Sequence, residues 1–296
     1  MSDVAHTFSV GTILVSGRTC NYIEIGKGPL VLALHGFPDV PLTFHYQMRA
    51  LAARGFRVVA PYVYEYAPLD PVAGSPHHYA GLVQFVLGMI NAFGDEKVVL
   101  LGHDWGAGAA YGAAIMAPDK VASIITMSVP RSTIFYESFL HSAAQQRRSW
   151  YIFFFQMPYA KKAVEYNNYA FIERLCQEWS PGWKLPQGQL DTIKEVLGKP
   201  GVLRSALGHY RDSFGPVAPK LDSARAAIET RFGDPILVPA LYMHGADDGC
   251  IGAEMAEGIE QFFLGRFEKH IIPQAGHFVH LEQPEKVNRL IMEFLA

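Results

Sequence analysis

Nine residues constrain this chain more than any others: Leu100-Leu101-Gly102-His103-Asp104-Trp105-Gly106-Ala107-Gly108. An apolar strand runs into a glycine-flanked turn and then into small residues suited to a helix. Glycines two before and two after the tip let the neighbouring backbone approach without a Cβ clash, which is the spacing of a nucleophile elbow. Gly102 and Gly106 stand at those positions, and Asp104 occupies the tip. A carboxylate is already ionised at neutral pH and needs no base before it attacks. Attack on an ester carbonyl would give an unproductive anhydride, so the target is an electrophilic sp³ carbon, such as that of an epoxide or an alkyl halide. The enzyme ester formed then requires a His to activate water and a second carboxylate to orient that His. Two plainer readings stay open on this segment alone. Asp104 could cap the following helix, and Gly106-Ala107-Gly108 could be half of a dinucleotide fingerprint, although Tyr111 stands where its third glycine belongs.

Half of the 296 residues are hydrophobic, enough to bury a large core in one large domain or two small ones. A net charge of -3 without a basic run gives no reason to expect nucleic acid or an anionic membrane as partner. Small uncharged substrates fit better, and a homodimer is left open. Cys20, Cys176 and Cys250 are far apart and odd in number, which suits a reducing compartment and reads as ordinary thiols. The N-terminus, with Asp3 and His6, lacks a signal-peptide pattern, and no apolar run reaches the roughly 18 residues of a membrane span. The expectation is a cytoplasmic protein. His77-His78 lie in a Gly/Pro loop and read as solvated, and no H-E-x-x-H occurs, so neither metal nor cofactor is expected.

Residues 8–25 loosely alternate around Ser16-Gly17-Arg18, predicting an antiparallel pair at a sheet edge. Leu30 to Leu34 is a continuous apolar run, the mark of a parallel strand buried on both faces. Arg57 to Ala60, Lys97 to Leu101 and Ser123 to Ser128 repeat it. Helical stretches at Thr43 to Arg54, Tyr79 to Phe93 and Ala107 to Ala117 lie between them, so the first 130 residues read as doubly wound α/β. After Pro130 the texture becomes aromatic and charged, predicting a helical insertion over 131–232. The α/β pattern resumes over 233–296, with strands at Ile236 to Met243 and Glu268 to Ile272 and helices at Ala253 to Phe263 and Glu285 to Leu295. The segment from Pro61 to Pro76, rich in Tyr and Pro, reads as an ordered loop.

Sites in open α/β sheets form outside the carboxyl ends of the strands. There the chain offers His35-Gly36-Phe37-Pro38-Asp39, then Asp104, then His244-Gly245-Ala246-Asp247-Asp248, then Gly276-His277. Nucleophile, acid and base follow in the order an elbow fold uses. His277 by itself would be a loop histidine and Asp248 by itself a turn residue; their shared edge is what joins them to Asp104. Asp248, three residues after Gly245, is taken as the acid and Asp247 as its solvated neighbour. Ester hydrolysis also needs an oxyanion hole, assigned to the backbone N–H groups of Trp105 and Phe37.

These residues resemble the epoxide hydrolases of the α/β-hydrolase superfamily. The H-G-F-P-D segment at 35–39, the G-H-D-W-G elbow at 102–106 and Gly276-His277 carry the resemblance, which spans nearly the whole chain. It implies an α/β-hydrolase fold with an inserted helical cap, an epoxide and water as substrates, no cofactor, and a cis Phe37-Pro38 bond. It also implies two cap tyrosines that hold and protonate the epoxide oxygen. Trp150 to Pro158 points to Tyr151, and His209-Tyr210-Arg211-Asp212 points to Tyr210, with Tyr159, Tyr166 and Tyr169 as substitutes. A phenol with pKa about 10 stays protonated at neutral pH yet donates to an alkoxide. The D-x-x-G-x-G-x-S loop common in that family is replaced here by residues 60–68. Haloalkane dehalogenases share the Asp nucleophile and following Trp, but typically place Asn where Asp39 stands, and an acid there would repel a departing halide. A non-catalytic binding protein of the same fold is the remaining alternative.

Overall fold

A computed structural model describes residues 8–63, 78–94, 97–215 and 223–296. The apolar runs form the middle of one eight-stranded sheet. Its strands are β1 (Ser9–Val15), β2 (Arg18–Gly26), β3 (Leu30–Leu34), β4 (Arg57–Pro61), β5 (Val98–His103), β6 (Val121–Met127), β7 (Ala240–Gly245) and β8 (Phe267–Ile272). Their spatial order is β1-β2-β4-β3-β5-β6-β7-β8, with β2 antiparallel to both β1 and β4 and the remaining pairs parallel. Every residue of β3, β5 and β7 is buried, as continuous apolar runs require in a sheet covered on both faces.

Helices α1 (His45–Ala53), α2 (Tyr79–Phe93) and α3 (Trp105–Met116) alternate with these strands. Eight of the twelve residues of α3 are Gly or Ala and ten of the twelve are buried, so it packs close to the sheet. Between β6 and β7 the chain leaves the sheet and forms α4 (Ser132–His141), α5 (Ala143–Arg148), α6 (Trp150–Phe155), α7 (Ala160–Trp179), α8 (Gln187–Leu197), α9 (Val202–Phe214) and α10 (Ser223–Glu229). α7 is broken at Tyr166 to Tyr169, where three consecutive residues take positive φ. An apolar cluster joins α6, α7, α8 and α9 to Phe37, Val40 and Phe278 of the sheet's loops and to Leu281, seating the insertion over the carboxyl edge of the strands. α11 (Val279–Glu282) and α12 (Pro284–Phe294) complete the chain.

Three expectations need correction. β7 begins at Ala240, and Ile236 makes only an isolated bridge to Phe263, because Pro239 lies between them and has no N–H to give a ladder. The helix expected at Ala253 to Phe263 is two short 3₁₀ turns, Ala253–Ala256 and Ile259–Phe262, separated at Gly258, whose φ is 71°. His78 is buried, not solvated: its Nδ1 accepts the Gly81 N–H at 3.1 Å and caps α2. The loop expected at 61–76, beyond Val63, and His77 lie outside the described residues. Among the described residues no helix is long and apolar enough to cross a membrane.

The turn from β5 to α3 leaves no space at Gly106, where a Cβ would stand 1.9 Å from the Leu34 carbonyl oxygen of β3. Gly106→Ala is therefore expected to destabilise the fold by about 3 kcal/mol through forced backbone displacement. Gly182, where a Cβ would meet nothing within 4 Å, is the control, and Gly182→Ala should stay within about 0.5 kcal/mol of the parent. Urea unfolding curves of both variants check this.

Candidate active site

Four strand ends meet at one point. Asp104 follows β5, His35 to Asp39 follow β3, Asp248 follows β7 and His277 follows β8. Asp104 has φ 53° and ψ -125°, a backbone shape that costs a residue with a Cβ on the order of 1–3 kcal/mol. The shape turns its side chain toward the β3 loop, where a Cβ on Gly36 would lie 2.2 Å from Asp104 Oδ1. Only glycine fits at 36. The following Phe37-Pro38 bond is cis, and the Phe37 N–H donates to Asp104 Oδ1 at 2.8 Å. The Trp105 N–H also serves this carboxylate. Of the two groups assigned to an oxyanion hole, the Phe37 N–H thus faces Asp104 Oδ1.

The other oxygen, Oδ2, lies 3.5 Å from His277 Nε2. On the far side of that ring, Nδ1 is 2.9 Å from Asp248 Oδ2. Asp248 is saturated: its Oδ1 accepts the Cys250 and Ile251 N–H groups at 2.7 and 2.9 Å, and His244 Nε2 stands 3.2 Å from Oδ2. Asp247 is exposed beside it. Burial alone would raise the Asp248 carboxyl, but the His277 charge and the contacts from His244 and His277 hold it far below the carboxylate range. Burial likewise opposes ionisation of Asp104, and contact with His277 outweighs it, leaving that carboxyl below its ordinary value. For His277 burial favours the neutral ring, but Asp248 and then Asp104 push it up to about 10.

The backbone of His277 is fixed independently of its ring. Its carbonyl accepts from His103 Nε2–H at 2.9 Å and from Ser128 Oγ–H at 2.6 Å, and its N–H donates to the Trp179 carbonyl at 3.1 Å. That same carbonyl takes the Gly249 N–H at 3.0 Å. Sequence reasoning missed His244, His103 and Ser128. The available signal was a polar residue interrupting a buried strand or its end.

Tyr151 of α6 and Tyr210 of α9 are each 2% exposed, and their rings meet edge to face with centroids 5.7 Å apart. Together with Asp104, Trp105, Phe135 and Phe214 they line a mostly apolar pocket. Tyr159 and Tyr166 are 54% and 77% exposed, and neither they nor Tyr169 line it. Asp39, set against a departing halide on sequence grounds, also does not line it. Its carboxyl is fully buried and is pushed up to about 6 by that burial. Two described groups bring three metal-capable side chains within 4.8 Å of one another: Asp39, His103 and His280, and Asp248, Cys250 and His277. In the first, His280 Nε2 already meets Thr43 Oγ1 at 2.7 Å; the second belongs to the triad.

This strand order, with a sharp turn at Asp104 after β5 and helices inserted after β6, defines a class. The chain belongs to the α/β hydrolase fold family, which matches residues 29–284. It is similar to human epoxide hydrolase 4, at 29% identity over 95% of this chain and 76% of that protein. It is 28% identical to epoxide hydrolase 3 of Xenopus tropicalis, over 95% of this chain and 75% of the relative. The crystal structure of the Bacillus megaterium epoxide hydrolase in complex with an inhibitor superposes with a TM-score of 0.82 at 25% identity, covering 96% of this chain and 99% of that one.

Because the folded value of His277, about 10, lies above the roughly 6.5 of an unfolded chain, its stabilising effect is complete below about pH 6.5. It is lost as pH rises toward 10. Asp104→Asn removes one of the two charges that hold the proton. NMR titration of the His277 ring should then show the proton leaving at lower pH than in the parent; an unchanged titration would contradict the geometry.

Proposed function

We propose that this protein is an epoxide hydrolase that opens its substrate through a covalent ester on Asp104. The observation that carries the reading is the division of labour between the two oxygens of that carboxylate. Oδ1 is occupied by the Phe37 N–H, whereas Oδ2 faces His277 beside a pocket lined by Tyr151 and Tyr210. Oδ2 attacks an epoxide carbon from the side opposite the C–O bond. That bond breaks, its electron pair goes to the epoxide oxygen, and the oxygen takes a proton from a tyrosine.

Alkylation removes the Asp104 charge and with it part of what holds the His277 proton. The imidazole then turns from acid to base, and the proton it releases is available to the tyrosine phenolate. His277 next takes a proton from water, which attacks Asp104 Cγ. Negative charge develops on Oδ1, already held by the Phe37 N–H; collapse breaks the bond from Cγ to Oδ2, and the departing alkoxide takes the proton from His277 to leave as the vicinal diol carrying Oδ2. Asp248 keeps His277 oriented throughout. The named activity of the relatives, together with the Bacillus megaterium enzyme's structure with a naphthyloxy-propanediol product, supports an apolar epoxide as the substrate class. The helices of the insertion act as the lid that carries the two tyrosines.

The test is incubation with an aryl epoxide and, separately, with a chloroalkane. Diol is expected without halide release; halide without diol would replace the reading by a dehalogenase, and neither product by a binding role. In His277→Gln the ester should accumulate on Asp104 and be seen by mass spectrometry after proteolysis. Tyr151→Phe and Tyr210→Phe should each slow ester formation about tenfold to a hundredfold, since each removes part of the general acid. Rapid-quench measurement of the ester reads this directly.

A further inference from the structure

The Cys250 thiol lies between the acid of the triad and the tyrosine of α6. Its side chain is fully buried, and Sγ is 3.4 Å from the Tyr151 hydroxyl oxygen. Sγ, an Asp248 carboxylate oxygen and a His277 ring nitrogen all lie within 4.8 Å of one another. The backbone around the thiol is fixed on both sides, the N–H on Asp248 Oδ1 and the carbonyl on Gln145 Nε2 at 2.9 Å. Burial, with Asp248 and Asp104 nearby, pushes the thiol well above its ordinary value. It therefore keeps its hydrogen and is no nucleophile, so either the thiol or the phenol can be the donor across this contact.

A phenol has one hydrogen to give and lone pairs to receive with. If Tyr151 spends its hydrogen on the sulfur, none is left for a substrate. If the thiol donates instead, the phenol hydrogen turns into the pocket toward Asp104 and Tyr210. We infer that Cys250 is a positioning residue for ring opening: its S–H donates to the Tyr151 oxygen, directs the phenol hydrogen at the epoxide oxygen, and supports the phenolate that forms. This rests on the reading of Tyr151 as a proton donor given above. A hydrogen bond to a developing phenolate is stronger than one to a phenol, so the contact favours the transition state over the ground state. A thiol that merely filled space would do neither.

Single-turnover reactions with excess enzyme, quenched and read by mass spectrometry, separate formation of the Asp104 ester from its hydrolysis. Cys250→Ala and the space-filling Cys250→Val are both expected to slow ester formation about threefold to tenfold, the weight of one hydrogen bond, with hydrolysis unchanged. Cys250→Ser keeps a donor and should recover much of the rate. In a Tyr151→Phe background, Cys250→Val should add nothing further. Parent-like ester formation in Cys250→Val, equal slowing of both steps, or the same slowing with Tyr151 absent would each overturn the inference. If the parent enzyme forms no Asp104 ester, the proposed mechanism falls and this inference with it. An ester formed by Cys250→Val at the parent rate removes the inference alone.

Discussion

The site depends on one contact: the Asp104 carboxylate, swung by a positive φ against Gly36 and caught by the Phe37 N–H. A buried carboxylate is costly unless hydrogen bonds and opposite charge replace its water. Here the β3 loop supplies the amide, the elbow supplies a second, and His277 supplies the charge. The strained backbone is tolerated because the sheet holds it on both sides. β5 pairs with β3 and β6 right up to the turn, and Gly106 is wedged onto β3. Strain, burial and charge thus belong to a single arrangement, in which Asp104 is positioned by its neighbours on three strands.

The two carboxylates that face His277 are treated differently, and that difference is chemical. Asp248 is filled on every side by two amides and two imidazoles, so it holds its charge and its place. Asp104 has Oδ1 held by the Phe37 N–H and Oδ2 turned toward the pocket and His277. In the proposed mechanism the saturated acid orients and the half-satisfied one reacts. His277 stands between them with its ring aligned by the acid and its backbone anchored by His103, Ser128 and Trp179, so it has little freedom to follow either carboxylate.

The parts legible in the sequence were those written locally. The elbow shows itself because Gly102 and Gly106 bracket Asp104 within five residues, and the buried parallel strands because both faces are apolar. Asp248 and His277 became legible once each was placed after a strand. What escaped was written across distance. His103 and Ser128 reach His277 over 174 and 149 residues, and no spacing rule joins them. His244 sits inside an apolar run, where it looked like a landmark instead of the support of Asp248. The start of β7 and the helix after it were misjudged because hydrophobicity continues through Pro239 and Gly258, while their backbone requirements do not allow the regular element to continue.

The Trp179 carbonyl has a consequence for how this fold can vary. It receives amides from both the Asp248 loop and His277, so the last turn of α7 is stitched by main chain to the Asp248–His277 side of the site. α4, by contrast, meets the pocket with the rings of Phe135 and Tyr136. Exchange of the insertion between relatives is accordingly asymmetric. A replacement must end a helix with its carbonyl at this point, whatever its sequence, whereas the α4 side can be rewritten ring by ring to suit a differently shaped molecule.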